Sequence, residues 1–594
     1  MKIALPGWLQ KSFLFLVMAA TAAAQPAIND VVNAAGRIPS GFSSYGIAQG
    51  ALFAVTGTGL GPDALQQASF PLPTTGGLAG VTVQVAVGGT TVDAILAYVS
   101  KSEVGAILPS GTPIGTGTVT VNNNGVTASA PITVVASAFG TFSLDYYSGL
   151  QWAAAFNVAA DGSTTLNFLG PPGQAAQPGQ TVMLNGTGLG AISSDETQSG
   201  ATDVPNVQIQ VFVGTQPATV ISAGRGAFPG LPDGFPAFPV PPGIAAWDVI
   251  QFTVPNGVTG CEVPVAVQIG NFVSNFAWIS ISADGGPCVD QNAADFGDLV
   301  TLSGTVKTGY VNLLRTTLHS TANGFTTEIG VETGTASFIQ YNAPVPVTVR
   351  VSQYAFATLA NNADPGTCLV QTFRVVTPAN PGPTPSPPPS ANVPVFLDAG
   401  PAINLTNGAG ATRQLKKGTG GVYAGSMGSS FSIPGLPADT SKLFLNPGTV
   451  TADNGGGGAD VPAFTSTVTL PSPPLTFDNI DSFGGVLDRT QGVTVKWSGG
   501  DPSSFVNITG NSINVNGNVT LIGGFACSEH VSAGQFTVPA FVTLALPASA
   551  NNPPLPPIGT LGLWNYALNR IQIPGIDLAL YSIVLETQTS VQYK

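Results

Sequence analysis

Two stretches of this chain alternate apolar and polar residues with period two: Val81-Thr-Val-Gln-Val-Ala-Val-Gly88 and Val207-Gln-Ile-Gln-Val-Phe-Val-Gly214. That spacing predicts strands that bury one face and expose the other. Each stretch sits at the same place in a longer repeat. Upstream of each lies an apolar run, residues 51–56 or 181–185, followed by the pentapeptide Gly-Thr-Gly-Leu-Gly at 57–61 and 186–190. Downstream come a further strand (91–98 and 218–222), a Pro-x-Gly turn (109–111 and 255–257) and a closing hairpin. The first hairpin joins 117–121 to 128–135 through Asn122-Asn-Asn-Gly125, which supplies the residues a tight turn needs. The second joins 263–269 to 275–282. Six or seven short strands in ~90–110 residues describe an immunoglobulin-like sandwich, here present twice.

Strand-like alternation continues at 345–351. A Pro-rich tract at 377–392 then predicts an extended spacer with no packed core. Beyond it, 465–470, 492–497, 517–522 and 536–546 are short runs bounded by Gly, Pro or Asn, and 578–593 predicts a terminal strand. The expected organisation is all-β: a leader at 1–24, sandwiches at 25–138 and 139–285, a β-rich unit at 286–376, the spacer, and a C-terminal β region at 393–594 that is either one domain or two dividing near 471.

Both repeats resemble IPT/TIG domains, an immunoglobulin-like family whose members open with an apolar strand followed by Gly-x-Gly-Leu/Phe-Gly. The likeness covers about 33–136 and 178–282. Paired modules of this kind, with Phe139-Gly-Thr-Phe142 and Ala153-Ala-Ala-Phe-Asn157 between them, also resemble secreted bacterial proteins in which Trp497-Ser-Gly-Gly-Asp-Pro502 and Gln535-Phe-Thr-Val-Pro539 have counterparts. The resemblance implies extracellular spacer, adhesion or receptor roles; some family members help to bind DNA.

Composition narrows these roles. Charged residues make up 8% of the chain, against about 25% in typical domains, while 43% is apolar. The 74 glycines and 50 prolines therefore punctuate a folded chain rather than a disordered one. Lys2 and Lys11, the apolar stretch 13–20 and Ala22-Ala-Ala24 read as a secretory leader ending before Gln25, too short to span a bilayer. Removing those two lysines takes the net charge from −13 to −15. An acidic chain with no basic cluster repels phosphate backbones, so nucleic acid is not an expected partner. No membrane span is expected after the leader is removed.

An exported chain with four cysteines is expected to form disulfides. Cys261 opens one strand of the second hairpin and Cys288 follows the other, which favours that pair; Cys368–Cys527 follows by elimination.

Candidate chemistry is sparse. His319 and His530 are the two histidines, and neither a Gly-x-Ser-x-Gly elbow nor His-Glu-x-x-His occurs. The pentapeptides fail the dinucleotide fingerprint because Pro62 and Ala191 stand where its last glycine is required. Asp478, Asp481 and Asp488 either hold a calcium ion or are simply solvated. No cofactor is expected.

Residues 225–246 are an insertion peculiar to the second repeat. It carries Phe228, Phe235 and Phe238 among six prolines, a stiff aromatic loop suited to binding or to covering a neighbouring domain. The leading reading is an exported, non-catalytic structural or adhesive protein whose partner is unknown. The alternative is glycan binding through exposed aromatics such as Trp497, Trp564 or the Phe loop. A hydrolase with its site in the C-terminal half is more distant.

Overall fold

The computed structural model describes residues 25–144, 152–168, 173–233, 237–288, 305–322, 325–341, 364–377, 394–432, 443–483, 485–550 and 558–594. The leader, the alternation at 345–351, most of the Pro-rich tract and Phe235 lie outside these residues. The protein is all-β, with tandem immunoglobulin-like sandwiches followed by further β-sandwich layers.

The first repeat consists of two five-stranded sheets. One runs Ala27–Asn33, Leu52–Thr58, Glu103–Ile107, Ile95–Val99, Gln66–Gln67. The other runs Ile47–Ala48, Val126–Val135, Gly115–Asn123, Val81–Val87, Thr90–Asp93. Alternation puts Val81, Val83, Val85 and Val87 inside, where they meet Phe53, Val55, Leu96 and Val104 of the facing sheet. The run expected as one strand at 91–98 is two. It crosses between the sheets at Ala94, itself buried in the core.

In the second repeat, Gln216–Arg225 does the crossing within one strand. Its start pairs with Gln210–Val213 and its end with Asp248–Thr253, with a register shift between Val220 and Ser222. The core gathers Val182, Leu184, Val211, Phe252, Val265 and Ile279.

Each pentapeptide is a structural corner. Leu60 and Leu189 anchor their respective cores at 0% exposure. Gly59 (φ +67°) and Gly188 (φ +114°) hold the left-handed backbone that the corner needs. A Cβ on Gly57 would collide with the Ala27 carbonyl, and one on Gly186 with the Gly140 carbonyl.

In the C-terminal half, sheet membership runs across the expected partition. Strands on both sides of the Pro-rich tract belong to one sheet of 13 strands. Val306–Ala322 lies parallel to Leu578–Ser590, from Thr308↔Leu578 to His319↔Thr589. Thr367–Val376 lies antiparallel to Val519–His530. A proline tract ends a strand without ending a sheet, because register depends on complementary edges and not on proximity in sequence.

Two separate cores are built on that sheet. One holds Phe338, Leu405, Tyr423, Phe444 and Val468; the other holds Trp497, Ile508, Phe525 and Phe541 under a small sheet of Thr476–Phe477, Val493–Ser498 and Gln535–Val538. Along the chain the two cores alternate: residues from 311 to 338 and from 397 to 470 enter the first, residues 368–370 and those from 477 to 563 the second. The last long strands serve both: Leu561 and Leu563 enter one core, Ile571, Tyr581 and Ile583 the other.

Candidate functional site

Gly559–Ile571 is paired along one side with Leu578–Ser590, from Thr560↔Ser590 to Ile571↔Ala579. On its other side the ladder to Phe505–Asn516 stops at Val506↔Asn565, because the neighbouring chain turns away into the Gly499–Ser504 corner. Thr465–Leu470, the last strand of the sheet, packs near the unpaired stretch without joining it by a ladder. The Asn569 carboxamide bridges the gap, donating to Thr467 O at 3.1 Å and to Ser466 Oγ at 3.3 Å.

Between these edges, where the two cores meet, opens a cleft of about 710 Å³. Its apolar floor includes Leu470, Ile583 and Leu585, and its polar lining includes Thr467, Thr469, Ser504, Asn565 and Asn569. Phe505 and Tyr566 border it. Among the described lining residues the sole carboxylate is Asp501, and none is basic. Asp501 closes its own turn, accepting from Ser503 Oγ at 2.7 Å and Ser503 N at 2.9 Å, and these bonds hold its carboxyl below the usual range. Asn565 is 5% exposed between Val506 and Leu585, and no described residue hydrogen-bonds its carboxamide.

The aromatic residues singled out in the sequence lie elsewhere. Trp497 is buried at 3% exposure and donates Nε1–H to Val531 O at 2.8 Å. Trp564 is 7% exposed beside Tyr566. Neither is an exposed platform. Phe228 and Phe238 fold inward as well: Phe228 packs edge-on to Phe156, both touch Trp247, and Trp247 stacks on Phe142 at 4.4 Å. The insertion covers a cluster shared by both repeats, including Leu52, Ile95 and Tyr98 of the first.

The three aspartates are not gathered around a common centre. Asp478 accepts from Ser498, Asp488 from Thr490, and Asp481 meets His319 Nε2 at 2.8 Å. The other ring nitrogen of His319 meets Glu328 at 3.1 Å, so both nitrogens already face carboxylates. The His530 ring packs on Phe505. Among the described residues no cluster of His, Cys, Asp and Glu could hold a metal ion.

Both disulfides form as the cysteine spacing and elimination suggested. Cys261–Cys288 ties the second hairpin, and Cys368–Cys527 joins directly opposed residues of neighbouring strands.

A feature without any sequence signature joins the two repeats. Asp248, fully buried, accepts from Gly188 N at 2.6 Å and Leu189 N at 2.8 Å, the corner of the second pentapeptide. It pairs with Arg225, also fully buried. Arg225 in turn donates to Gly190 O at 2.6 Å and, across the repeat boundary, to Gly50 O at 3.2 Å. Burial pushes the Asp248 carboxyl up, while Arg225 and the two amides favour its ionised form.

No family model and no curated protein matches this sequence. Among solved structures, the plexin A4 extracellular region (domains 1 to 8) overlaps 46% of this chain and 20% of its own, at 13% identity and a TM-score of 0.15. Domains A168–A170 of titin overlap 75% of this chain and 98% of their own, at 10% identity and a TM-score of 0.13. The N-terminal eight immunoglobulin domains of the Down syndrome cell adhesion molecule overlap 94% and 53%, at 9% identity and 0.11. The chain spans 20% and 30% of the two plexin regions it overlaps. Overlaps at such scores carry no argument, and the fold class rests on the sheets described above. No helix among the described residues is long and apolar enough to cross a membrane.

Proposed function

We propose that this is an exported, non-catalytic structural or adhesive protein, that its first two modules are of the IPT/TIG type, and that it acts by presenting its β modules as one stiff body. The observation that carries the reading is how the modules meet. They touch through buried contacts: Arg225 with Gly50 O, Phe212 stacked on Phe541 at 4.0 Å, and Val273 and Phe276 inside a C-terminal core. Contacts of this kind resist bending, as a spacer or an adhesive arm requires. The disulfides add support for export, since such bonds persist in oxidising compartments. The bacterial leader proposed for residues 1–24 supplies the route.

The test is made on producing cells. Fractionation and thiol labelling should find the chain outside the cytoplasm with both disulfides closed, and X-ray scattering should give one compact particle. Cytoplasmic retention with reduced cysteines, or scattering from independently moving modules, contradicts the reading.

A further inference from the structure

We infer that the cleft between the two C-terminal cores binds a neutral oligosaccharide. The inference rests on the adhesive reading above and supplies its partner. Charge comes first. Among the described lining residues there is no basic group to recognise an anion, and the one carboxylate, Asp501, is already engaged in its own turn. A charged ligand would leave water for a site offering nothing to offset its desolvation.

The lining chemistry comes next. Hydroxyls of Thr467, Thr469 and Ser504 and the carboxamides of Asn565 and Asn569 surround an apolar floor of Leu470, Ile583 and Leu585. A pyranose offers the same pairing, with a rim of hydroxyls that both donate and accept and a C–H face that packs on apolar surface. The volume of about 710 Å³ falls within the range of small-molecule sites, which favour boundaries between cores.

Asn565 is the decisive residue. Its side chain is buried, at 5% exposure, and its cross-strand neighbours are Val506 and Leu585. Its carboxamide is not among the fully sealed polar atoms that lack a partner, so it stays within reach of the cleft. Its position in the cleft lining lets a ligand hydroxyl serve as its partner. A peptide extending the open edge of residues 566–571 is disfavoured, because the Asn569 bridge to Thr467 closes the gap that a strand would need.

The experiment is titration calorimetry of the full chain with cello-, xylo-, manno- and maltohexaose. Sulfated oligosaccharides and a neutral Ser/Thr/Val hexapeptide serve as contrasts. At least one neutral hexaose should bind with Kd below ~1 mM. Asn565→Leu should weaken it about tenfold or more. Thr469→Trp, which blocks the cleft from an exposed strand position, should abolish binding even if the buried variant folds poorly. The inference is overturned if no neutral hexaose binds, if the sulfated sugars or the peptide bind in their place, or if binding survives Thr469→Trp. The cellular location of the chain is measured separately, so a failed titration leaves the export reading standing and a cytoplasmic chain does not alter the titration.

Discussion

Replacing Asp248 with asparagine keeps the outline of the side chain and removes its charge, leaving the Arg225 guanidinium sealed between the repeats. Both side chains have 0% exposure, so neither water nor salt screens the loss. Breaking one half of a buried pair costs about 3–5 kcal/mol. With its oxygen kept towards Gly188 N and Leu189 N, the asparagine turns its NH2 group to the Arg225 guanidinium, so Asp248→Asn removes both the charge and the acceptor that Arg225 uses. Asp248→Ala adds about 1–3 kcal/mol for each of the two orphaned amides. Arg225→Met combined with Asp248→Asn removes both charges and should recover part of the loss, with a coupling of about 1–3 kcal/mol. Urea unfolding followed by tryptophan fluorescence suits the test, since Trp247 adjoins the pair and bonds Asn185 Oδ1 at 2.8 Å. Amide exchange at Gly188 and Leu189 gives a local readout. A loss below about 1 kcal/mol for Asp248→Asn, or simple additivity in the double variant, would refute the claim that this pair locks the repeats together.

Trp497→Ala should cost about 3–5 kcal/mol in thermal or chemical unfolding, against at most about 0.5 kcal/mol for an exposed tryptophan. Opening Cys368–Cys527 by paired alanine substitution should destabilise more than opening Cys261–Cys288. The separations of 159 and 27 residues correspond to about 5 and about 3.5 kcal/mol of chain entropy. Glu586 is half-buried and burial raises its carboxyl pKa, so the folded state holds that proton more tightly than the unfolded chain does. Its contribution is therefore fully favourable below about pH 4.5 and is lost as the pH rises. Glu586→Gln should melt higher than the parent at pH 7, with the difference closing in acid; a constant difference across that range contradicts the assignment.

Local pattern carried the first repeat well; in the second, the alternating stretch is a strand only at Gln210–Val213. Val81, Val83, Val85 and Val87 point inward as their spacing requires, and the pentapeptides mark corners because glycine alone fits there. The same parity argument could have placed Trp497, which shares a face with Val493 and Val495 in an alternating strand and is buried with them. Phe228 and Phe238 suit covering a neighbouring domain better than binding, and what they cover is an apolar surface of the first repeat that lies far away in sequence. Strand partners were least legible. The match of Thr308 to Leu578 spans most of the C-terminal half, and period-two alternation says which face is buried but not beside whom. The cleft inherits that difficulty, since it lies where a ladder stops at Asn565.

The strands shared by the two C-terminal cores set a condition on when this half can form during synthesis. Gly559–Ile571 and Leu578–Ser590 complete both cores, and the second of them lies between Gly559–Ile571 and Val306–Ala322, a strand made some 270 residues earlier (Thr308↔Leu578). A nascent chain can close its first two sandwiches and its local hairpins as they emerge, but neither C-terminal core is complete until the last strands are made. The strand edges that await them, on Val306–Ala322 and Phe505–Asn516, stay unpaired for that interval. Loss of residues 559–590 would therefore open both cores at once.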